Sequence, residues 1–371
     1  MTAYPKLFSP FRCRGLELRN RVVMAPMTRE WAPGGVPGRE IADYYARRAA
    51  GGTALIITEG TPPDPAGAFG ARVPRFYGED ALEGWRGVVD AVHGHGAAIF
   101  AQLWHVGAFD PSIIGMRDSF ATPPERLSPS GLAGPGRPYG RAMTSADIEA
   151  TIGAFGRAVA AARAAGFDGV EIHCAHGYLP DQFLWSGTNR REDRYGGSLE
   201  RRLRFPVELV RECRRQAGEG LVLSFRLSQW KQLDHSARIA EDPTELGRIV
   251  QPLAGAGVDI FHCSTRRYRD PIFAGSDLGL AGWVKRLSGR PTIAVGSITL
   301  GNDFKSPQGK VQAEVDVAQL DDVERRLQAG EFDLVALGRA LLANADWVHL
   351  VQRGLTQRLQ PFSRACLDAL F

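Results

Sequence analysis

Three polar side chains stand close together in the stretch EIHCAHGYLPDQFL, residues 171–184. His173 and His176 are three residues apart, and Tyr178 follows two residues later. Two imidazoles can ligate a metal ion or donate hydrogen bonds to a substrate oxygen, and a tyrosine hydroxyl can deliver a proton. They can also be ordinary loop residues. The elements that position these side chains decide between these alternatives.

A metal site at the two histidines has little support in the rest of the sequence. A catalytic zinc usually takes three protein ligands. Glu171 would share a strand face with His173 but lie roughly 6–7 Å deeper along the strand, and His105 and His262 are distant in sequence. The five cysteines are scattered and form no CxxC pair, which argues against a cysteine metal cluster or a disulfide framework. We therefore expect no metal.

The histidine stretch ends one of eight short apolar runs that are rich in β-branched residues. Apolar runs without strict alternation are typical of parallel strands that are buried on both faces. The runs are residues 21–28, 54–60, 98–105, 169–175, 221–228, 259–265, 292–298 and 334–341.

Helix-like segments lie between these runs, the clearest at residues 39–52, 145–167, 198–218 and 242–257. Ser145 is predicted to cap the start of its helix, whose last turn runs through Ala165 into a capping Gly166. Pro206 and Pro252 should kink or divide the helices in which they lie.

Eight strands that alternate with helices predict a (β/α)₈ TIM barrel. A doubly wound open sheet also alternates, but no dinucleotide-binding fingerprint follows the first strand. Long loop excursions follow the third strand, at 106–143, and the seventh, at 299–319. Both leave the C-terminal ends of strands, so we expect them on the catalytic face of a single domain, residues 1–371.

Composition narrows the class of partner. The net charge of +4 is small for 371 residues, and the basic residues are dispersed, which gives no support for a nucleic-acid or membrane-surface partner. No apolar run approaches the roughly 18 residues needed to span a bilayer, and the first residues lack the apolar stretch of a secretory signal. We expect a cytoplasmic protein that acts on a small molecule.

The last two strands end in AVGSI and ALGRAL, which place glycines and polar residues where TIM barrels commonly bind phosphate. Glycine lets backbone N–H groups approach an anion, and an arginine adds a bidentate contact. Gly296, Ser297, Gly338 and Arg339 are therefore predicted to hold a phosphate group.

Two polar side chains fall inside apolar runs. Arg226 should be buried, and a buried guanidinium needs an anionic partner. That partner is either a carboxylate, such as Glu171 or Glu59, or a cofactor that becomes anionic. Gln102 offers a donor and an acceptor suited to the edge of a heterocycle. It could equally well be a core amide whose hydrogen bonds are all made to other protein groups.

These residues carry a family resemblance. The chain resembles the old yellow enzymes, FMN-dependent ene-reductases on a (β/α)₈ barrel. The resemblance extends from LFSPF through QLWHVG, HCAHGYLPDQFL and NRREDRYGGSLERR to VALGRALLANADW. It implies that NADPH or NADH reduces FMN, which passes hydride to the β-carbon of an α,β-unsaturated carbonyl or a related activated alkene.

The resemblance also implies roles for individual residues. Cofactor-binding roles fall to Ala25, Pro26, Thr28, Gly60, Gln102, Arg226, Gly296, Ser297, Gly338 and Arg339. His173 and His176 would bind the substrate's carbonyl oxygen and stabilise the charge that develops there. Tyr178 would protonate the α-carbon, and Trp104 would shape the substrate space.

The chain departs from the family pattern at several places. Ala108 stands where an arginine is common. Trp185-Ser186 and Ser228-Gln229-Trp230 stand where relatives often carry a small polar residue and proline, and the 299–319 segment is longer than in compact members. These departures affect the pocket shape and the subunit contacts rather than the three catalytic candidates.

Two other functions stay open at this point. One is a flavin-dependent amine demethylase or dehydrogenase on the same barrel. The other is a flavin-free, phosphate-binding barrel lyase or isomerase, which would need a Schiff-base lysine or a carboxylate base at a strand end. The few lysines lie outside the apolar runs, which weakens the lysine version. The oligomeric state is open and compatible with a homo-oligomer.

Overall fold

A computed structural model describes residues 3–111, 125–303 and 311–370. Eight parallel strands close into a barrel in which each strand pairs with its neighbours in chain order. The strands are β1 Val22–Met24, β2 Leu55–Thr61, β3 Ala98–Leu103, β4 Gly169–His176, β5 Val222–Lys231, β6 Ile260–Ser264, β7 Thr292–Val295 and β8 Leu334–Leu337. The predicted barrel is confirmed, and the open-sheet alternative is wrong.

The inside of the barrel changes from apolar to polar along the strands. Its deeper part is an apolar cluster that includes Leu55, Phe100 and Val222 and packs against an N-terminal hairpin of strands Phe11–Cys13 and Leu16–Leu18. Because side chains alternate between the two faces of a strand, residues two and four positions further on share this inner face. Those positions carry the polar groups of the site.

Helices cover the outside of the barrel and the mouth at its C-terminal face. They are α1 Arg39–Ala50, α2 Glu79–His93, α3 Ser145–Ala164, α4 Leu179–Leu184, α5 Leu199–Ala217, α6 Pro243–Ala256, α7 Leu280–Ser288, α8 Gln319–Gln328, α9 Arg339–Ala343 and α10 Trp347–Gln352. Within the described ranges, none of the helices combines the length and apolar character needed to cross a membrane.

Helix α3 begins one residue earlier than the sequence suggested. Its N-cap is Thr144 rather than Ser145, because Asp147 lies three residues after the threonine and completes a capping box. The Thr144 hydroxyl accepts a hydrogen bond from the Asp147 N–H at 3.2 Å, and the Asp147 carboxylate accepts one from the Thr144 N–H at 2.7 Å. Pro206 and Pro252 lie inside continuous helices α5 and α6, so neither proline divides its helix.

Both predicted excursions reach the C-terminal face of the barrel. The first forms short strand pairs, Leu127–Ser128 with Arg141–Ala142 and Leu132–Gly134 with Arg137–Pro138. In the second, Gln312–Ala313 pairs antiparallel with Phe362–Ser363 of the C-terminal segment. Residues 112–124 and 304–310 of these excursions lie outside the described ranges.

Candidate active site

Two adjoining cavities open at the C-terminal ends of the strands. The larger one, about 360 Å³, is lined by residues that follow β1, β6, β7 and β8, among them Ala25, Gly296, Ser297, Gly338 and Arg339. The smaller one, about 240 Å³, is lined by Gly60, Gln102, Trp104, His173 and Tyr178, among others. Both cavities share Pro26, Thr28, His176 and Arg226. The structure thus brings together every site residue that the sequence predicted, while the role of each residue stays a prediction.

A buried carboxylate lies beneath the smaller cavity. Glu171 accepts hydrogen bonds from Gln102 Nε2 at 2.8 Å, Ser224 Oγ at 2.8 Å and His262 Nδ1 at 2.9 Å. Burial opposes its ionisation, but His262 and the charge of Arg226 outweigh burial and hold the pKa of Glu171 below its ordinary value. Gln102 is therefore both a hydrogen-bonded core amide, oriented by this carboxylate, and a wall of the cavity.

The guanidinium of Arg226 is buried and only loosely held by protein groups. Its Nη2 donates to Ser264 Oγ at 3.4 Å, and its Nε has no partner among the described residues. Burial lowers the pKa of Arg226, although the charge of Glu171 opposes the change. Neither predicted carboxylate forms an ion pair with Arg226, because Glu171 is engaged as above and Glu59 accepts from backbone N–H groups after β1. An anionic group in the cavity would satisfy this arginine.

Strand β4 ends in a left-handed turn. His176 has φ 65° and Gly177 has φ 87°, and a positive φ is uncommon for a residue other than glycine. The His176 N–H donates to Ser228 Oγ at 3.0 Å, and its Nε2 lies 2.8 Å from Ser264 Oγ. Its ring stacks on Trp230 with the centroids 4.3 Å apart. These contacts hold a strained conformation in place, as is common at functional sites.

The hydroxyl-bearing ring of Tyr178 is enclosed by other rings. Those of Trp104 and His173 each lie 4.9 Å away, centroid to centroid, in edge-on arrangements. Burial raises the pKa of Tyr178 to about 12, although a hydrogen bond from Gln232 and the charge of Arg226 both oppose the rise. Tyr178 therefore keeps its proton at neutral pH.

His173 is a neutral imidazole. Burial, followed by the charges of Arg226 and His262, lowers the pKa of His173 well below its ordinary value. Its Nδ1 is buried and has no hydrogen-bond partner among the described residues. Since a neutral imidazole carries one N–H and one acceptor nitrogen, His173 can donate one hydrogen bond without also acting as an acid at neutral pH.

The far end of the larger cavity combines tight backbone packing with a cation. A Cβ atom on Gly296 would lie 2.5 Å from Thr265 Oγ1, so the chain has no room for a side chain there. Arg339 Nη2 lies 3.4 Å from Ser297 Oγ and donates to the Asn302 carbonyl at 2.6 Å. Burial lowers the pKa of Arg339 to about 10, which leaves it charged at neutral pH.

The larger cavity also has walls that the sequence did not suggest. These residues are Arg29, Ser264, Thr265, Val295, Ile298, Leu300, Ala336, Leu342, Phe362 and Leu367. Ser264 and Thr265 stand at the end of β6, so the strand-end rule could have found them. Phe362 and Leu367 carry no such signal, because they belong to a C-terminal segment that folds back over the barrel mouth.

Arg29 ties that C-terminal segment down. Its Nη2 donates to the carbonyl oxygens of Cys366 at 3.3 Å, Leu367 at 3.2 Å and Ala369 at 2.8 Å. The guanidinium also lies over the ring of Tyr44, 5.1 Å from its centroid. The last wall of the larger cavity is therefore held by a residue that lies five positions after the end of β1.

The expectation that all lysines lie outside strands is wrong for Lys231. Strand β5 continues to Lys231, which is buried and forms a 2.7 Å ion pair with Asp181. None of the described lysines lines either cavity, which removes support for a Schiff-base lysine in this part of the chain. The described ranges also contain no group of three or more His, Cys, Asp or Glu side chains that could hold a metal ion.

Comparison with known proteins identifies the family. The sequence model of the NADH:flavin oxidoreductase / NADH oxidase family matches residues 6–358. The chain belongs to the old yellow enzyme family. This old yellow enzyme is an FMN-dependent NAD(P)H oxidoreductase of the ene-reductase type.

Relatives align along most of the chain. This old yellow enzyme is 36% identical over 357 residues to 12-oxophytodienoate reductase 7 of Oryza sativa subsp. japonica, covering 92% of this chain and 86% of the relative. It is 33% identical over 369 residues to the NADPH dehydrogenase of Geobacillus thermodenitrificans, covering 95% and 96%. The structure of morphinone reductase in complex with tetrahydroNAD superposes with a TM-score of 0.79 at 29% identity, covering 98% of this chain and 94% of that one.

The two cavities of this old yellow enzyme fit FMN. The Nε of Arg226, which has no hydrogen-bond partner in the described part of the chain, suits a ring system that gains negative charge, and Gln102 supplies a fixed amide at the same end. At the other end, the charged Arg339, beside the Ser297 hydroxyl, suits a phosphate. The larger cavity lies between these two ends.

Proposed function

We propose that this enzyme reduces an α,β-unsaturated carbonyl or a related activated alkene on one barrel domain, with NADPH or NADH as the reductant. One observation carries the proposal. His173, His176 and a protonated Tyr178 converge on the smaller cavity, which shares walls with the cavity that fits FMN. The reductases named among its relatives agree with this chemistry.

FMN, when bound, supplies the hydride chemistry. Its proposed binding residues are Ala25, Pro26, Thr28, Gly60, Gln102 and Arg226 for the ring system and Gly296, Ser297, Gly338 and Arg339 for the phosphate. The charge of Arg226 stabilises negative charge at its end of the site, and burial strengthens this interaction because few water molecules screen it.

His173 and His176 bind the carbonyl oxygen of the substrate in this proposal. As a hydride adds to the β-carbon, negative charge builds on that oxygen. Two hydrogen-bond donors that are already in position stabilise this charge more in the transition state than in the ground state. His173 contributes as a neutral donor, and Ser264 and Trp230 hold the His176 ring in place.

Tyr178 completes the reduction by giving its proton to the α-carbon. The new C–H bond at the β-carbon comes from the hydride and the one at the α-carbon from the hydroxyl, so the double bond becomes single without net charge on the product. The tyrosinate is then reprotonated from solvent. Trp104 borders the same cavity and limits the shape of the alkene that enters it.

The test separates the two halves of the reaction. We expect the purified protein to be yellow, to release FMN on denaturation and to bleach with NADPH under anaerobic conditions, and cyclohexenone should then restore the colour. In Tyr178→Phe, bleaching by NADPH should be nearly unchanged and reoxidation by cyclohexenone should slow by about 10²–10⁴-fold. Tyr77→Phe, a change outside both cavities, is the matched control.

Two outcomes would contradict the proposal. An enzyme whose bleached form no activated alkene reoxidises, and whose yellow, oxidised form is reduced by amines, would be an amine demethylase or dehydrogenase. Equal slowing of both half-reactions in Tyr178→Phe would remove the proton-donor role from this residue.

A further inference from the structure

A buried ion pair lies behind the active site and lines neither cavity. Lys231 Nζ and Asp181 Oδ1 are 2.7 Å apart, and the two side chains are 0% and 1% exposed. Removing two charges from water is costly, so a pair this deeply buried needs further hydrogen bonds to be tolerated. Lys231 ends β5, directly after the Ser228-Gln229-Trp230 segment in which this chain departs from its relatives, and Asp181 lies in α4.

The second oxygen of Asp181 holds the catalytic turn. Asp181 Oδ2 accepts a hydrogen bond from the Gly177 N–H at 2.7 Å. Gly177 stands between His176 and Tyr178, and both His176 and Gly177 have positive φ. The carboxylate therefore fixes the peptide plane that sets the relative position of the carbonyl-binding histidine and the proton donor.

Gln232, which follows the end of β5, also forms hydrogen bonds to the same turn. The Gln232 N–H donates to the His176 carbonyl at 3.0 Å, and the Gln232 side chain hydrogen-bonds to Tyr178. Lys231 stands next to Gln232 and lies over the ring of Trp185, 6.0 Å from its centroid. Anchoring Lys231 on Asp181 therefore also anchors the residue that contacts Tyr178.

We propose that Lys231 and Asp181 are positioning residues for alkene reduction. The ammonium keeps the Asp181 carboxylate buried and oriented, and the carboxylate holds the left-handed turn that presents His176 and Tyr178 together. This inference rests on the proposed function, because its effect lies in the half-reaction that uses Tyr178. Neither residue touches substrate or cofactor.

The decisive experiment compares two double variants that both remove the buried charges. Lys231→Met with Asp181→Asn keeps an oxygen acceptor for the Gly177 N–H. Lys231→Met with Asp181→Leu has a side chain of similar size but no acceptor. Because neither variant leaves an unpaired buried charge, both should fold and bind FMN.

We expect the two double variants to be reduced by NADPH at the same rate and to differ in reoxidation by cyclohexenone. The Asn form should react at least about tenfold faster than the Leu form, since small misplacements of reacting groups cost up to roughly 10²-fold in rate. The difference should appear in the limiting rate at saturating cyclohexenone rather than in its apparent affinity.

The control is Lys285→Met, which breaks a partly buried 2.9 Å ion pair with Asp333 away from both cavities. It should leave both half-reactions unchanged. Equal cyclohexenone rates in the two double variants would overturn the inference. Failure of the unsubstituted enzyme to reduce any activated alkene would instead overturn the proposed function, so the two failures are distinguishable.

Discussion

At the scale of single residues, the proposed chemistry depends on groups that stay uncharged in a buried site. Burial lowers the pKa of His173 and raises that of Tyr178, and both shifts favour the neutral side chain. Of the fixed charges, Arg226 lies level with His173 on the neighbouring strand, and Glu171 lies one layer deeper in the barrel. The neutral donors thus share their cavity with one fixed positive charge, while the carboxylate stays below it.

The pKa of Tyr178 leads to a prediction about pH. A general acid works in its protonated form, below its own pKa, and that pKa is raised here to about 12. The rate of cyclohexenone reduction by the reduced enzyme should therefore stay level from about pH 7 to about pH 10, where an unshifted tyrosine would already be half ionised. Rapid mixing of reduced enzyme with saturating cyclohexenone at each pH measures it. A rate that has fallen by half at about pH 10 would show an ordinary tyrosine.

Gly60 has no room for a side chain beside the substrate pocket. A Cβ atom there would lie 2.5 Å from the indole ring of Trp104, which is itself stacked on Phe69 at 5.1 Å. Gly60→Ala should therefore cost about 1–3 kcal/mol of unfolding free energy and displace the indole. Urea unfolding and the KM for cyclohexenone would show both effects.

Gly87→Ala is the matched control for this change. Gly87 lies within α2, and a Cβ there meets no atom within 4 Å. This substitution should be neutral or stabilise the protein by roughly 0.5–1 kcal/mol, because alanine favours a helix over glycine. Equal effects of the two substitutions would contradict the packing argument for Trp104.

At the scale of elements, the start of α3 can be tested by two neighbouring substitutions. Thr144→Ala removes the hydroxyl of the capping box and should lower the free energy of unfolding by about 1 kcal/mol, whereas Ser145→Ala should change it little. Urea unfolding of both variants decides between the two caps. A larger loss of unfolding free energy in Ser145→Ala than in Thr144→Ala would show that Ser145 is the N-cap of α3.

Apolar runs predicted the existence of the strands better than their ends. The run at 221–228 stops three residues short of the end of β5 at Lys231. Gln229 and Lys231 do not extend an apolar pattern. Tertiary contacts with distant parts of the chain bury them. The Gln229 side chain hydrogen-bonds to the backbone of Ile239 and Ala240. Lys231 pairs with Asp181, which lies fifty positions earlier in the chain. No local pattern contains that information.

At the scale of the whole molecule, cofactor binding should stabilise the fold. A ligand that binds only the folded state adds about 2.7 kcal/mol at a concentration of 100 times its Kd. Flavin-free protein should therefore unfold at a higher temperature when FMN is added. Riboflavin, which lacks the phosphate, should give a smaller shift, because it makes no contact with Arg339 or with the backbone at Gly296. Equal shifts for the two flavins would contradict the proposed phosphate site.

The count of strand signals predicted the closed barrel, and strand-end positions together with the family resemblance predicted many of the residues that line the two cavities. Both rules use local sequence and one general property of barrels. They could not reveal contacts made by the C-terminal segment, since nothing in the local pattern around Phe362 or Leu367 shows where the chain returns. They also missed the hydrogen bonds that join Glu171 to Ser224 and His262, which depend on three strands meeting inside the barrel.

The larger cavity has one wall from residues 25–29 and another from residues 362–367. Ala25 and Thr28 face a cavity that Phe362 and Leu367 close, and Arg29 fastens the closing segment. During synthesis, the ribosome adds more than three hundred residues between these two walls. A nascent chain can therefore form most of its barrel while its cofactor site is still open. Tight retention of FMN then marks a chain in which residues 362–369 have left the ribosome and folded back onto Arg29.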